Sequence, residues 1–205
     1  MSDSFLYQPH VHGADGVLTP DLAVDSLTVV LAPAAKEIMP LPINLLTCAT
    51  TLQQPGDTAC GSAAMVVVAG GRGAIITVGS DHWDPELGAA GANSVLGHLT
   101  CAKPIARETV RLEDHDAVRG SVLRTYRTRG EDQTLIGETP LRDWPPISEI
   151  IAHWSGGTKP PPRSALMISA GHRDAAPGQA EGYRVELKFP ETGMRLQYAY
   201  SVRRL

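Results

Sequence analysis

The sequence predicts a β-rich α+β domain with few, short helices, and three observations carry that expectation. Two apolar segments, the Val-rich 63–69 and then 74–78, flank the turn Gly70-Gly71-Arg72-Gly73. A second pair, 183–189 and 194–202, alternates apolar and polar residues at the period of a strand. Only the stretch after Pro145-Pro146 repeats its apolar residues at helical spacing.

In chain order, residues 1–20 carry Gly, Pro and His and read as an irregular N-terminal arm. Residues 24–32 read as a strand. Pro33, Pro40 and Pro42 break the next stretch, and 43–52 resumes as a strand or a short helix, which period alone does not separate. Segments 63–69 and 74–78 form a hairpin of two buried strands. That hairpin runs directly into Gly79-Ser80-Asp81-His82-Trp83-Asp84, a crowd of polar groups at the end of a rigid strand. Ile147, Ile150, Ile151 and Trp154 fall on one face of a helix that Pro145-Pro146 opens and Gly156-Gly157 ends. A Pro-rich connector at 158–163 leads to a strand at 165–169. In the closing hairpin, Tyr183, Val185, Leu187 and Phe189 face one way and Arg184, Glu186 and Lys188 the other, a half-exposed antiparallel pair.

Composition narrows the function classes. With 205 residues, 42% of them hydrophobic and 20% charged, the chain buries a real core as a single domain spanning 1–205. A net charge of −4 with no Lys/Arg cluster argues against a nucleic-acid partner. No apolar run is long enough to span a membrane, and residues 1–4 do not start a secretory signal. Cys48, Cys60 and Cys101 are an odd set without close pairing, so a reducing cytoplasm is expected and each thiol reads as a small buried hydrophobe. There is no Gly-x-Ser-x-Gly elbow, no P-loop, no Gly-x-Gly-x-x-Gly opening a helix and no zinc spacing.

The run from Gly137 to Asp174, the strand end from Val78 to Asp84 and the segment from Gly97 to Glu108 occur in the order and spacing of one family. Together they make residues 40–202 resemble the fumarylacetoacetate hydrolase superfamily. The match is strongest to a short bacterial subfamily with a Ser-Asp-His-x-Asp stretch, here Ser80 to Asp84, and a Lys-Pro-x-Ala-Arg-Glu stretch, here Lys103 to Glu108. The resemblance implies a rolled, mixed β-sheet around a central site. It implies a homodimer, and chemistry on small oxo-acids through an enolate, often held by a divalent metal.

The departures from the family carry as much meaning. The two strand glutamates that join the Asp on Mg²⁺ or Mn²⁺ appear as Ala63 and Met65, leaving Asp81 with Asp84 as a poor substitute. A hard cation needs several oxygen ligands, so no metal site is expected. His98 stands where the family has Lys, and Gly171-His172-Arg173 where it has a Gly-Thr-Pro turn. No counterpart of the water-activating His of hydrolytic members is found; His10 and His12 lie on the arm, where they could close over a site.

The expected catalytic set is therefore Asp81, His82, His98 and Glu138. In it, Asp81 orients the imidazole of His82 for proton transfer, against the plain alternative of an Asp capping a turn. The expected substrate-binding set is Lys103, Arg107, Thr139, His172 and Arg173. Lys103 and Arg107, four apart, share a strand face suited to a carboxylate, or else a solvated face. Trp83 and Trp144 read as core or pocket wall. The function expected is a metal-independent enzyme moving protons on a small enolisable oxo-compound: an isomerase, tautomerase, cyclase or lyase without a cofactor. A hydrolase or decarboxylase using Mg²⁺ or Mn²⁺ and a non-catalytic ligand-binding relative are the alternatives.

Overall fold

The computed structural model describes residues 4–11, 21–31, 38–54, 56–70, 73–90, 95–111, 118–157, 159–171 and 174–205. His12, His172 and Arg173 lie outside the described residues, as do Gly71 and Arg72 of the expected hairpin turn.

Sixteen strands and three α-helices are described. The N-terminal part holds β1 (Phe5–Tyr7), β2 (His10–Val11), β3 (Leu22–Val24), β4 (Ser26–Leu31), β5 (Ile38–Leu41), β6 (Leu46–Thr47) and β7 (Thr51–Gln54). The central hairpin is β8 (Ala63–Gly70) and β9 (Gly73–Ser80), followed by α1 (Pro85–Ala90), α2 (Val95–Leu99), β10 (Lys103–Pro104) and β11 (Glu108–Arg111). The chain continues with β12 (Val122–Arg129), β13 (Asp132–Pro140), α3 (Ile147–Ser155), β14 (Ser164–Ser169), β15 (Gly182–Lys188) and β16 (Arg195–Arg204).

A seven-stranded sheet in the order β2-β11-β9-β8-β14-β4-β5 packs on a five-stranded sheet in the order β13-β12-β15-β16-β7. β8 lies near the middle of the larger sheet, and both of its faces are covered. Ala63, Met65 and Val67 enter the core shared with Leu123, Val185, Leu187, Leu196 and the α3 residues Ile147, Ile150 and Ile151. Ala64, Val66 and Val68 face the other core, with Tyr7, Val24, Leu27 and Met39. A strand buried on both faces needs no polar alternation, hence the unbroken apolar run. Each such Val or Met removed from water contributes about 1.5–3 kcal/mol.

The hairpins expected at 63–78 and 183–202 and the helix at 147–154 are all present. Trp154 extends the buried face of α3 and donates from Nε1 to Thr28 Oγ1 at 3.2 Å. Three features differ from expectation. The segment 43–52 is neither one strand nor a helix: a 3₁₀ turn at Ile43–Leu45 precedes β6, and Ala49 N donates to Thr47 Oγ1, a side-chain bond that closes a local turn before β7. The expected irregular arm contributes β1, paired with β3, and β2, paired with β11. The polar face of β15 is not simply solvated, since Glu186 is buried between Arg124 and Arg184.

Candidate functional site

β9 ends at Ser80, and the next four residues are held rather than loose. Asp81 N donates to Ser62 O at 2.8 Å, and Cys60 and Trp83 exchange both backbone hydrogen bonds, at 2.8 and 3.0 Å. Extended backbone points successive side chains in opposite directions, so Asp81 and His82 serve two different clusters.

The first cluster is charged. Lys103 Nζ donates to Asp81 Oδ1 at 2.9 Å and also to the His82 carbonyl oxygen. His98 Nδ1 lies 2.9 Å from the same Asp81 oxygen and 3.3 Å from Lys103 Nζ. Asp81, His98 and Lys103 are at most 1% exposed. Two acceptors cannot approach to 2.9 Å without a proton between them, so His98 donates from Nδ1, and in the neutral ring the lone pair is on Nε2. Trp83 stacks on the His98 ring, with centroids 5.5 Å apart and planes 16° from parallel, fixing its plane. Burial would raise the Asp81 pKa, but the Lys103 ammonium and the His98 hydrogen bond outweigh it and hold the carboxyl well below its ordinary range.

Two glycines make this convergence sterically feasible. A Cβ on Gly97 would run into the Asp84 carbonyl oxygen, and Asp84 N donates to Gly97 O at 2.9 Å, so α2 sits tight against the start of α1 and turns His98 toward Asp81. A Cβ on Gly79 would lie 2.7 Å from Pro104 O, so only glycine there lets the segment carrying Lys103 close onto β9.

The second cluster is neutral. His82 Nε2 donates to Gln54 Oε1 at 3.0 Å, and Nδ1 lies 3.1 Å from the Tyr200 hydroxyl, whose oxygen is 2.8 Å from Ser80 Oγ. Tyr183 and Tyr200 stand edge-on to the His82 ring, each at 5.7 Å between centroids. Burial, then the nearby Lys103 charge, pushes the His82 pKa down to about 3, so this imidazole stays neutral. The expected Asp81–His82 unit is thus corrected: the carboxylate pairs with His98, and His82 offers its backbone oxygen to Lys103 while its ring enters the tyrosine cluster.

Other expected residues lie elsewhere. Lys103 and Arg107 do not share a face. β10 pairs with β6 only through Pro104, Ile105 then bridges to Gly79, and Arg107 emerges exposed, donating to Gln8 Oε1 at 3.0 Å. The even-spacing rule fails because the strand changes partners between the two residues. Glu138 is on β13 at the edge of the five-stranded sheet, where it accepts from Arg124 Nε at 2.6 Å with its side chain 44% exposed. Thr139 pairs in register with Leu123, a core residue. His10 is exposed on the edge strand β2. Asp84 caps α1, accepting from Glu86 N at 2.9 Å and Leu87 N at 3.2 Å as well as from Thr58 Oγ1 at 2.9 Å. Burial raises the Cys60 thiol to about 11 and raises Cys101 as well, in keeping with inert buried thiols.

Sequence reasoning missed Gln54, Ser80 and Tyr200. Ser80 stood inside the quoted motif, but Gln54 and Tyr200 reach His82 across 28 and 118 residues, which no local pattern encodes.

The residues around Asp81 do not fit a hard cation. Ala63 and Met65 are fully buried in the core, Asp84 is engaged at a helix cap, and Asp81 already accepts from an ammonium. Among the described residues no three His, Cys, Asp or Glu side chains converge as a metal shell. No helix among them is long and apolar enough to cross a membrane.

Solved structures share this architecture at low identity. A 2-keto-3-deoxyarabinonate dehydratase superposes with a TM-score of 0.67 at 12% identity, over 95% of this chain and 83% of that one. Cg1458 gives 0.63 at 13%, over 90% and 78%. A maleylpyruvate hydrolase from Sphingobium sp. SYK-6 gives 0.59 at 11%, over 91% and 73%. The fold is therefore the rolled, β-rich fumarylacetoacetate hydrolase-like architecture. No curated protein sequence matches the chain. Residues 22–200 match the family described as protein of unknown function (DUF2848), and the chain belongs to that family.

Proposed function

We propose that this protein is an enzyme that moves protons on a small enolisable oxo-acid without a metal, with His98 as the base. The observation that carries the proposal is the Asp81–His98 pair at 2.9 Å with Lys103 Nζ on the same carboxylate oxygen. Asp81 fixes the tautomer and orientation of His98, leaving Nε2 to take a proton from the carbon next to a carbonyl. The C–H electron pair passes to the carbonyl oxygen as an enolate, and the Lys103 charge favours the negative charge that develops nearby. Returning the proton at a different carbon gives an isomer; expelling a group from the neighbouring carbon gives elimination. The solved structures of similar fold support an oxo-acid substrate, since their names specify a keto-acid dehydratase and a maleylpyruvate hydrolase. The subfamily with the Ser-Asp-His-x-Asp stretch is the group in which we place this chemistry. Exposed Leu87, Leu96 and Leu99 beside the cluster support a homodimer that covers them.

The test is solvent deuterium incorporation into a panel of 2-oxo acids in D₂O, followed by NMR with EDTA present. Enzyme-dependent exchange that EDTA leaves intact and His98→Ala removes is the expected result. Exchange that is independent of His98, or absent across the panel, overturns the proposal.

A second reading, a metal-dependent hydrolase or dehydratase, draws on one observation: a 2-keto-3-deoxy-D-arabinonate dehydratase of similar fold is described in complex with magnesium and 2,5-dioxopentanoate. Activity that falls with EDTA and returns with Mg²⁺ or Mn²⁺ would favour it.

A further inference from the structure

His82 belongs to both clusters at once. Lys103 Nζ donates to its backbone oxygen, while its ring lies edge-on to Tyr183 and Tyr200. The peptide unit that carries that oxygen is anchored on its other side, where Trp83 N donates to Cys60 O at 3.0 Å. The ring is anchored at both nitrogens. A carbonyl oxygen only accepts, so the proton shared with Gln54 Oε1 sits on Nε2, and Nδ1 of the neutral ring accepts from the Tyr200 hydroxyl. Gln54 is fixed in turn, its Nε2 donating to Gly56 O at 3.0 Å.

The value of that carbonyl lies in the crowding at Asp81. Lys103 Nζ and His98 Nδ1 reach the same carboxylate oxygen, each at 2.9 Å, and stand 3.3 Å apart. Both are donors, so neither bonds the other, and the two compete for one acceptor. The His82 oxygen divides the ammonium between two partners and leaves Asp81 Oδ1 open to the imidazole. Asp81, His82, His98 and Lys103 are all at most 1% exposed, so water has little access to replace a lost acceptor. We propose that His82 is a positioning residue: its carbonyl keeps the Lys103 ammonium from displacing His98 at Asp81, and Gln54 and Tyr200 hold that carbonyl in place through the ring. The proposal rests on the reading of His98 as the base, and it ties the orientation of that base to β7 and β16, the strands that carry Gln54 and Tyr200.

The test compares Tyr200→Phe and His82→Phe, which release the ring, with Tyr198→Phe. Tyr198 lies on the same strand, but its hydroxyl donates to Ala49 O at 2.7 Å, so the same substitution there deletes a hydrogen bond without releasing residue 82. Two quantities are measured in each protein: solvent exchange of the His98 Nδ1 proton by NMR, assigned by its absence in His98→Ala, and deuterium incorporation into the panel of 2-oxo acids. Tyr200→Phe is expected to speed exchange of the Nδ1 proton about tenfold and to slow incorporation by a similar factor, the scale of one lost hydrogen bond. His82→Phe is expected to do at least as much, and Tyr198→Phe to leave both quantities unchanged. Urea unfolding confirms that each variant is folded under the assay conditions. An Nδ1 proton that neither Tyr200→Phe nor His82→Phe affects overturns the proposal. So do equal effects of Tyr198→Phe and Tyr200→Phe, which would mark a general loosening of β16. If the wild type incorporates no deuterium, the enzymatic reading fails, and the proton measurement alone still decides whether His82 positions His98.

Discussion

Replacing Lys103 with Met tests the charged cluster as a physical unit. Lys103 is fully buried and places its ammonium 2.9 Å from Asp81 Oδ1. Methionine keeps most of the stem's volume and deletes the charge, so packing changes little while a carboxylate with 2% side-chain exposure loses its cation. Breaking a buried ion pair from one side costs about 3–5 kcal/mol, because the remaining charge is left in a poor solvent. For a chain of this length that corresponds to a fall in Tm of about 6–20 °C, at about 2–4 °C per kcal/mol. The loss also depends on pH. In the wild type the Asp81 pKa is depressed, so its stabilising contribution is present above the unfolded carboxyl pKa and is lost only as pH falls below that value. In the variant burial dominates, the folded pKa rises above the unfolded one, and stability falls as pH climbs through that interval. The gap between the two proteins is therefore widest at neutral pH and narrows on acidification toward the ordinary carboxyl range. Urea unfolding at pH 7.5 and at pH 5 measures both quantities. A gap below about 1 kcal/mol, or one equal at the two pH values, would refute the reasoning, since an exposed pair behaves that way.

Other perturbations probe the same region. Asp81→Asn is expected to lower deuterium exchange about as far as His98→Ala, by about 10²–10⁴-fold for loss of general-base catalysis, because an oriented imidazole and its orienter act together; NMR exchange rates check this. Tyr200→Phe removes the hydroxyl shared by Ser80 and His82 and is expected to cost about 1–3 kcal/mol in urea unfolding. Gly97→Ala forces a methyl group against the Asp84 carbonyl and is expected to destabilise by about 1–3 kcal/mol. That variant should also displace His98, visible as a changed imidazole NMR signal.

What was legible in the sequence was what depends on neighbours in the chain. The apolar runs of β8 and β9 announce a hairpin because successive residues there are buried alike, and α3 shows its three isoleucines at helical spacing between Pro146 and Gly156. Asp81, His98 and Lys103 were legible as candidates through family motifs. Which imidazole the carboxylate would hold was not, because it depends on Gly79 and Gly97 letting two other segments close in. Arg107 was misplaced beside Lys103 for a related reason: motif position says little about where a strand trades partners. Residue 200 contributes to His82 only once two sheets have stacked, which no pattern near either residue records.

The spacing of the two clusters along the chain also has a consequence for how the molecule assembles. A nascent chain synthesised through residue 111 already contains Asp81, His98 and Lys103, which meet over loops of 17 and 22 residues. Closing loops of that length is fast and entropically inexpensive compared with bringing residue 200 onto residue 82. The acid, the imidazole and the ammonium can thus find one another early, while the His82 ring waits for β16 to dock between β15 and β7. Until then the His82 ring lacks both the Tyr200 hydroxyl and the burial that keep it neutral in the folded chain, so closing the five-stranded sheet is the step that fixes its protonation state.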